Sequence, residues 1–75
     1  MNALRRKELN AIYNLITEAR DRLEAVKDEE EYMDNMPENL QGSERYERAE
    51  EVVGMLESTI DTLDLALDDI EEAAQ

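Results

Sequence analysis

Apolar residues recur along this chain at alternating gaps of three and four positions, on both sides of a short interruption. The first series has a single charged member and comprises Leu9, Ile12, Ile16, Ala19, Leu23, Val26, Glu30 and Met33. The second comprises Tyr46, Ala49, Val53, Leu56, Ile60, Leu63, Leu67, Ile70 and Ala74. This spacing over four heptads indicates a coiled-coil seam. The sequence therefore predicts two long amphipathic helices and no strand.

The residues between the two series favour a bend. Pro37 cannot continue a helix, Gly42 suits a helix stop, and Ser43 is a good N-cap. We therefore predict a single domain, residues 1–75, that consists of helix 1 at about 3–35, a loop at 36–42 and helix 2 at about 43–74.

Two helices of similar length joined by a short loop form an antiparallel hairpin. One reversal of the chain brings each seam residue of helix 1 opposite one of helix 2, as Leu9 meets Ile70. The same reversal is expected to align the flanking pairs Arg6–Glu71, Tyr13–Asp64, Arg20–Glu57 and Lys27–Glu50. Opposite charges beside a seam set helix orientation. The predicted fold is thus all-α, an antiparallel two-helix coiled-coil hairpin.

A second apolar face lies beside the predicted seam. We assign self-association to its members Leu4, Ala11, Leu15, Val52, Met55, Thr59 and Ala66. An apolar stripe wider than a two-helix seam is typical of bundle helices. A second copy would cover this face and give a homodimeric four-helix bundle, which is the expected state. The alternative is a groove for a different protein.

Charge is distributed unevenly along the chain, whose net charge is −13. Residues 1–27 hold six Lys or Arg against four Asp or Glu, or +2, whereas residues 28–75 hold two against seventeen, or −15. Direct binding of nucleic acid requires a basic surface. The balance therefore excludes nucleic acid and favours a protein partner with a basic surface.

Acidic residues at the bend and along helix 2 are the candidate partner-binding residues. The set is Asp28, Glu29, Glu31, Asp34, Asp61, Asp68 and Asp69, together with Tyr32 at the bend. Those near the bend form either a contact site or a cap over the open end of the seam. Those on helix 2 either imitate a nucleic-acid backbone or only confer solubility.

The sequence gives no sign of catalysis, of a cofactor or of a metal site. Cysteine and histidine are absent, which removes thiol ligands, the commonest metal ligand and the commonest general base. No nucleophile lies near a base, and no glycine-rich phosphate loop is present. We therefore expect a protein that is not an enzyme and needs no cofactor.

Without an apolar run of membrane-spanning length or a signal peptide, a cytoplasmic location is expected.

The run EEEYMDNMPENLQGSERYERAEE, with RRKELN near the start of the chain, resembles a family of small acidic proteins of unknown function from bacteriophages and mobile elements of Gram-positive bacteria. Small acidic proteins from such elements include inhibitors of host nucleases, anti-CRISPR proteins among them. The resemblance implies a phage or mobile-element context, and in that context the acidic stripe of helix 2 leads us to expect a nucleic-acid-mimicking inhibitor in a bacterial host cell. The alternative is a structural coiled-coil module that serves assembly or scaffolding.

Overall fold

The computed structural model describes the backbone of residues 2–34 and 44–75, and the side chains of residues 2–32 and 47–75. It contains two α-helices, α1 at Ala3–Asp34 and α2 at Glu44–Ala73. Each observed boundary lies within one residue of its predicted position. The predicted loop at 36–42 and the predicted N-cap Ser43 lie outside the described residues.

Local hydrogen bonds explain where α1 begins and how α2 ends. The Asn2 side chain accepts a hydrogen bond from the backbone N–H of Arg5 at 2.9 Å, so Asn2 is the N-cap of α1. At the other end of the chain, the N–H of Gln75 donates to the carbonyl of Glu72 at 3.3 Å. This three-residue bond tightens the last turn and satisfies a terminal carbonyl.

The two helices pack side by side in opposite directions. Arg20 of α1 contacts Asp64 of α2, and Tyr13 and Glu71 line one shallow depression. As the residue number falls along α1, the number of its neighbour on α2 rises. The predicted all-α antiparallel hairpin is therefore confirmed.

The predicted seam of α2 forms the core. Among the described side chains, the buried apolar residues are Ala49, Val53, Ile60 and Leu67, and all four belong to the α2 series. They recur at gaps of four and seven, so one stripe of α2 faces α1 along its length. The prediction for α2 is therefore confirmed.

The predicted seam of α1 is only half correct. Leu9, Ile16 and Leu23 are half-buried, as expected. In the other half, Ile12 is 39% and Val26 is 47% accessible, and Ala19 is exposed as well, whereas Met33 lies outside the described side chains. The α1 helix is thus rolled about its axis, so that one predicted seam row points away from the middle of the interface.

The roll is explained by the polar residues on the other edge of α1. Tyr13, Arg20 and Lys27 are half-buried there, and each is one position beyond an exposed seam residue. Arg20 is anchored to Asp64 on α2. Lowering this edge onto α2 lifts the row that contains Ile12, Ala19 and Val26 towards solvent.

The predicted pairing of Arg20 with Glu57 is wrong, because Arg20 bonds Asp64, one heptad further along α2. The reason is that Cα–Cβ bonds tilt towards the N-terminus of their own helix. In an antiparallel pair, Arg20 and Asp64 therefore lean towards each other, whereas Arg20 and Glu57 lean apart. Lys27, predicted to meet Glu50, contacts Glu31 on its own helix at 3.5 Å.

Candidate protein-interaction surfaces

The structure divides the predicted partner-binding residues into two groups. We call Asp28, Glu29 and Glu31 the acidic tip, and Asp61, Asp68 and Asp69 the acidic row. Since Asp64 lies beside Arg20, Asp61 lies on the same side of that contact as the acidic tip, whereas Asp68 and Asp69 lie on the other side. Asp28 and Asp68 are separated by about 18 Å along the hairpin, at ~1.5 Å per residue. Asp61, by contrast, is separated from Asp28 by only about 7.5 Å along the hairpin, so the acidic row begins near the acidic tip and extends away from it.

The acidic tip lies in the last two turns of α1. Asp28 and Glu29 are exposed and make no ion pair among the described side chains, whereas Glu31 contacts Lys27 at 3.5 Å. The last turn of α1 carries no basic residue. Negative charge near a helix C-terminus opposes the helix dipole, so the acidic tip does not stabilise α1.

Tyr32 adds an apolar element to the tip. Its side chain is 71% exposed, so within the described residues it does not cap the seam. Asp34 is also a predicted partner-binding residue. Its backbone ends α1, and its side chain lies outside the described residues. The structure thus places an exposed aromatic ring next to exposed carboxylates.

The acidic row lies on the outer surface of α2. Asp61, Asp68 and Asp69 are exposed, and none makes an ion pair among the described side chains. Asp61 and Asp68 are seven residues apart and therefore share a face, at a separation of ~10.5 Å. Asp64 lies between them on the same edge, but Arg20 engages it.

Arg20 is the centre of the main ion-pair network. Its Nε donates to Asp64 Oδ1 at 2.7 Å and its Nη2 to Asp64 Oδ2 at 3.3 Å, a two-pronged contact between the helices. Its Nη1 donates to Glu24 Oε2 at 2.6 Å. Hydrogen bonds to Asp64 and then Glu24 raise the pKa of Arg20 above its usual value. Its single positive charge faces three carboxylates, those of Asp64, Glu24 and Asp21. The network therefore keeps a net negative charge and leaves the acidic row uncompensated.

The predicted self-association residues do not form one patch. Leu4 lies at the N-terminal end of α1, in a depression with Arg5 and Leu9. Met55 and Thr59 line a depression on α2 with Gly54 and two further small residues. The Thr59 hydroxyl donates to the Met55 carbonyl at 2.9 Å, so its polar group is already satisfied within α2.

Of the remaining predicted self-association residues, only Leu15 belongs to a larger apolar surface. Leu15 is 65% exposed and lines a groove with Ala19 and Val26. Ala11 is exposed, whereas Val52 and Ala66 are half-buried beside the core.

Two exposed apolar features were missed by the sequence analysis. The first is the row of Ile12, Ala19 and Val26, which had been assigned to the seam and carries no separate sequence signal. The second is Leu65, which is 67% exposed. Its position outside the 3-4 series was visible in the sequence, since Leu63 and Leu67 on either side occupy the seam.

The described residues show neither a membrane span nor a metal site. In residues 2–34 and 44–75, neither helix contains a stretch long and apolar enough to cross a bilayer. In the same residues, no three carboxylates converge closely enough to hold a metal ion. Oxygen ligands for hard cations need such convergence.

Comparison with known proteins gives no relative for this arrangement. The chain matches no protein-family model, no curated protein and no solved structure. The resemblance to small acidic phage proteins therefore stays a prediction, and function has to be argued from the surfaces themselves.

Proposed function

We propose that this protein is a non-enzymatic binding protein whose acidic surface docks onto a basic face of another protein. The observation that carries the proposal is the acidic row, whose three carboxylates are exposed and uncompensated among the described side chains. Lys and Arg side chains of a partner gain charge-assisted hydrogen bonds there. Long-range attraction also accelerates the encounter.

A finer form of the proposal is inhibition of a host nuclease. The carboxylates on one edge of α2 repeat at short intervals along a straight rod, so they can occupy a groove that normally holds phosphates. The resemblance to phage and mobile-element proteins supports this form, of which anti-CRISPR proteins are examples, and with it a site of action in the bacterial cytoplasm. Its assay is DNA cleavage by a Gram-positive RNA-guided nuclease, which the protein is expected to slow.

The general proposal is tested by neutralising the acidic row without changing side-chain shape. Immobilised protein captures partners from a lysate of a Gram-positive bacterium, and capture is compared with that by Asp61→Asn, Asp68→Asn, Asp69→Asn protein. The matched control is Glu47→Gln, Glu50→Gln, Glu57→Gln, which removes the same charge from exposed positions of the same helix. We expect at least a tenfold loss of capture for the first variant and a smaller loss for the control.

Salt dependence gives a second readout. Screening lengths fall from ~10 Å at 0.1 M salt to ~3 Å at 1 M, so binding by the acidic row is expected to weaken steeply over this range. If the protein still captures its partner at high salt and after neutralisation of the acidic row, the proposal is wrong. Charge reversal at Asp28, Glu29 and Glu31 then tests the acidic tip, because capture that survives this change shows that the tip is not the site.

A structural role in coiled-coil assembly is the second candidate function. The exposed apolar row of Ile12, Ala19 and Val26 favours it, since such a row can pack against another helix. Apolar packing responds little to salt. Partner capture that is unchanged at 1 M salt therefore assigns the protein to this class.

A further inference from the structure

We propose that α1 binds a second copy of this chain through a second seam, with the two α1 helices antiparallel. We call this seam the α1 outer face and define it as Ile12, Leu15, Ala19, Arg22 and Val26. These residues follow one another at gaps of three, four, three and four, and all five are exposed. A helix with two adjacent seams of this kind is typical of a bundle with more than two helices.

The middle of the α1 outer face is a groove of mainly apolar lining. Leu15, Ala19 and Val26 line it together with Leu23, which also contributes to the seam with α2. The groove is therefore continuous with the core. An ion pair between Glu18 and Arg22, 2.8 Å long, lies along it.

The area exposed by one chain also favours a second copy. The chain exposes 5814 Å² at a mass of 8.7 kDa. Surface scaling gives about 4,700 Å² for a globular monomer of that mass, so the hairpin exposes about 1,100 Å² more than a globular monomer. A stable interface takes about 800 Å² from each partner. The excess is sufficient for one such interface.

Charge identifies the face on which two copies can meet. Each chain carries −13, so most approaches of two copies are repulsive. Residues 1–27, which contain the α1 outer face, carry +2. A strongly basic partner fits the acidic row instead. The α1 outer face is therefore where a second copy meets the least repulsion.

Charge also sets the orientation. A basic cluster, Arg5, Arg6 and Lys7, begins α1, and the acidic tip ends it. Parallel packing stacks like charges at both ends, whereas antiparallel packing places each basic cluster over the partner's acidic tip. The midpoint between the two clusters falls near residue 17. Each Leu15 then meets the Ala19 of the other copy, large against small, and two-fold symmetry makes this contact twice.

The first test measures molar mass by light scattering over a range of concentrations. We expect twice the chain mass for the native protein. Leu15→Glu is expected to raise the dimer dissociation constant at least tenfold, because it buries a carboxylate in the seam. Leu65→Glu is the matched control, since Leu65 is equally exposed but lies on the outer surface of α2. A native protein that stays monomeric, or equal dissociation by both variants, overturns the proposal.

The second test does not depend on how well Leu15→Glu folds. The chain has no cysteine, so single spin labels can be placed at Asn14→Cys and Ala3→Cys, both at exposed positions of α1. An antiparallel pair centred near residue 17 offsets the two labels along the axis by about 9 Å at Asn14 and about 42 Å at Ala3. Equal distances at the two sites indicate parallel packing, and absent coupling indicates a monomer. Either result overturns the proposal.

This assembly does not rest on the proposed function. Neutralising the acidic row should leave the dimer intact, because those residues lie away from the α1 outer face. Charge reversal at the acidic tip should weaken the dimer, since it removes the attraction to the partner's basic cluster.

Discussion

Two leucines on α2, two residues apart, provide a direct test of which stripe of the helix faces α1. Leu67 is 7% exposed and belongs to the core, whereas Leu65 is 67% exposed. Leu→Ala at either position changes helix propensity equally, so the difference between the two variants reports burial alone. We expect Leu67→Ala to be much the more destabilising.

The magnitude follows from the buried fractions. A Leu→Ala change removes roughly three methylene equivalents, each worth ~0.8 kcal/mol when fully buried. Scaled by burial, the loss is about 2.2 kcal/mol at Leu67 and about 0.8 kcal/mol at Leu65. The difference, about 1.4 kcal/mol, is a tenfold change in the folding equilibrium constant. A cavity contributes little further, because a two-helix seam is open to water at its edges.

Urea unfolding followed by far-ultraviolet circular dichroism measures both variants. Because the proposed self-association would couple stability to concentration, all samples need the same protomer concentration. The slope of the unfolding free energy against urea should stay unchanged, which shows that the folded and unfolded states still differ by the same surface. Equal losses at the two positions, or a larger loss for Leu65→Ala, would show that α2 is rolled differently and would refute the assignment of the core.

Two further substitutions test other parts of the packing. Gly54 lies inside α2 with ordinary backbone geometry, and a Cβ added there meets nothing within 4 Å. Gly54→Ala should therefore raise the free energy of unfolding by about 0.5–1 kcal/mol, measured by the same unfolding experiment; a loss would mean that something packs against this position. Asp64→Asn should lower the melting temperature more than Glu57→Gln, because Asp64 is the residue that Arg20 engages. A larger decrease for Glu57→Gln would instead support the Arg20–Glu57 pairing that was expected from the sequence.

Helix boundaries and helix direction were predictable because several local signals agree. The 3-4 series ends near the bend on both sides, and Pro37 and Gly42 mark the same interval. The α2 seam was also predictable, since the rest of that helix surface is largely polar. Only one stripe of α2 was therefore apolar enough to be predicted as the seam.

The roll of α1 was not predictable from the pattern of apolar residues. The row with Leu9, Ile16 and Leu23 and the row with Ile12, Ala19 and Val26 are similarly apolar, so hydrophobicity does not decide between them. Which row faces α2 is determined at the opposite edge of α1, where two nitrogen atoms of Arg20 donate hydrogen bonds to Asp64. Such a contact depends on how side chains lean in three dimensions, which residue spacing alone does not encode.

The candidate site was predictable in residue type but not in arrangement. Exposed carboxylates were expected at Asp28 and Asp61, and both are exposed. Their division between the bend and helix 2 was also expected, whereas the engagement of Asp64 by Arg20, which leaves Asp61 and Asp68 unpaired among the described side chains, follows only from the packing of the helices. The α1 outer face likewise became visible only because the observed roll exposes it.

The acidic row is difficult to explain by the stability of the hairpin. Asp68 and Asp69 lie near the C-terminal end of α2, whose last turn carries no basic residue, and carboxylates there oppose the helix dipole. Solubility is satisfied by a net charge of about 2–8 in a small domain, and this chain carries −13. Neither folding nor solubility therefore requires these carboxylates. The basic partner proposed above would, and since the acidic row lies apart from the α1 outer face, the proposed partner and the proposed second copy would occupy different surfaces of the chain.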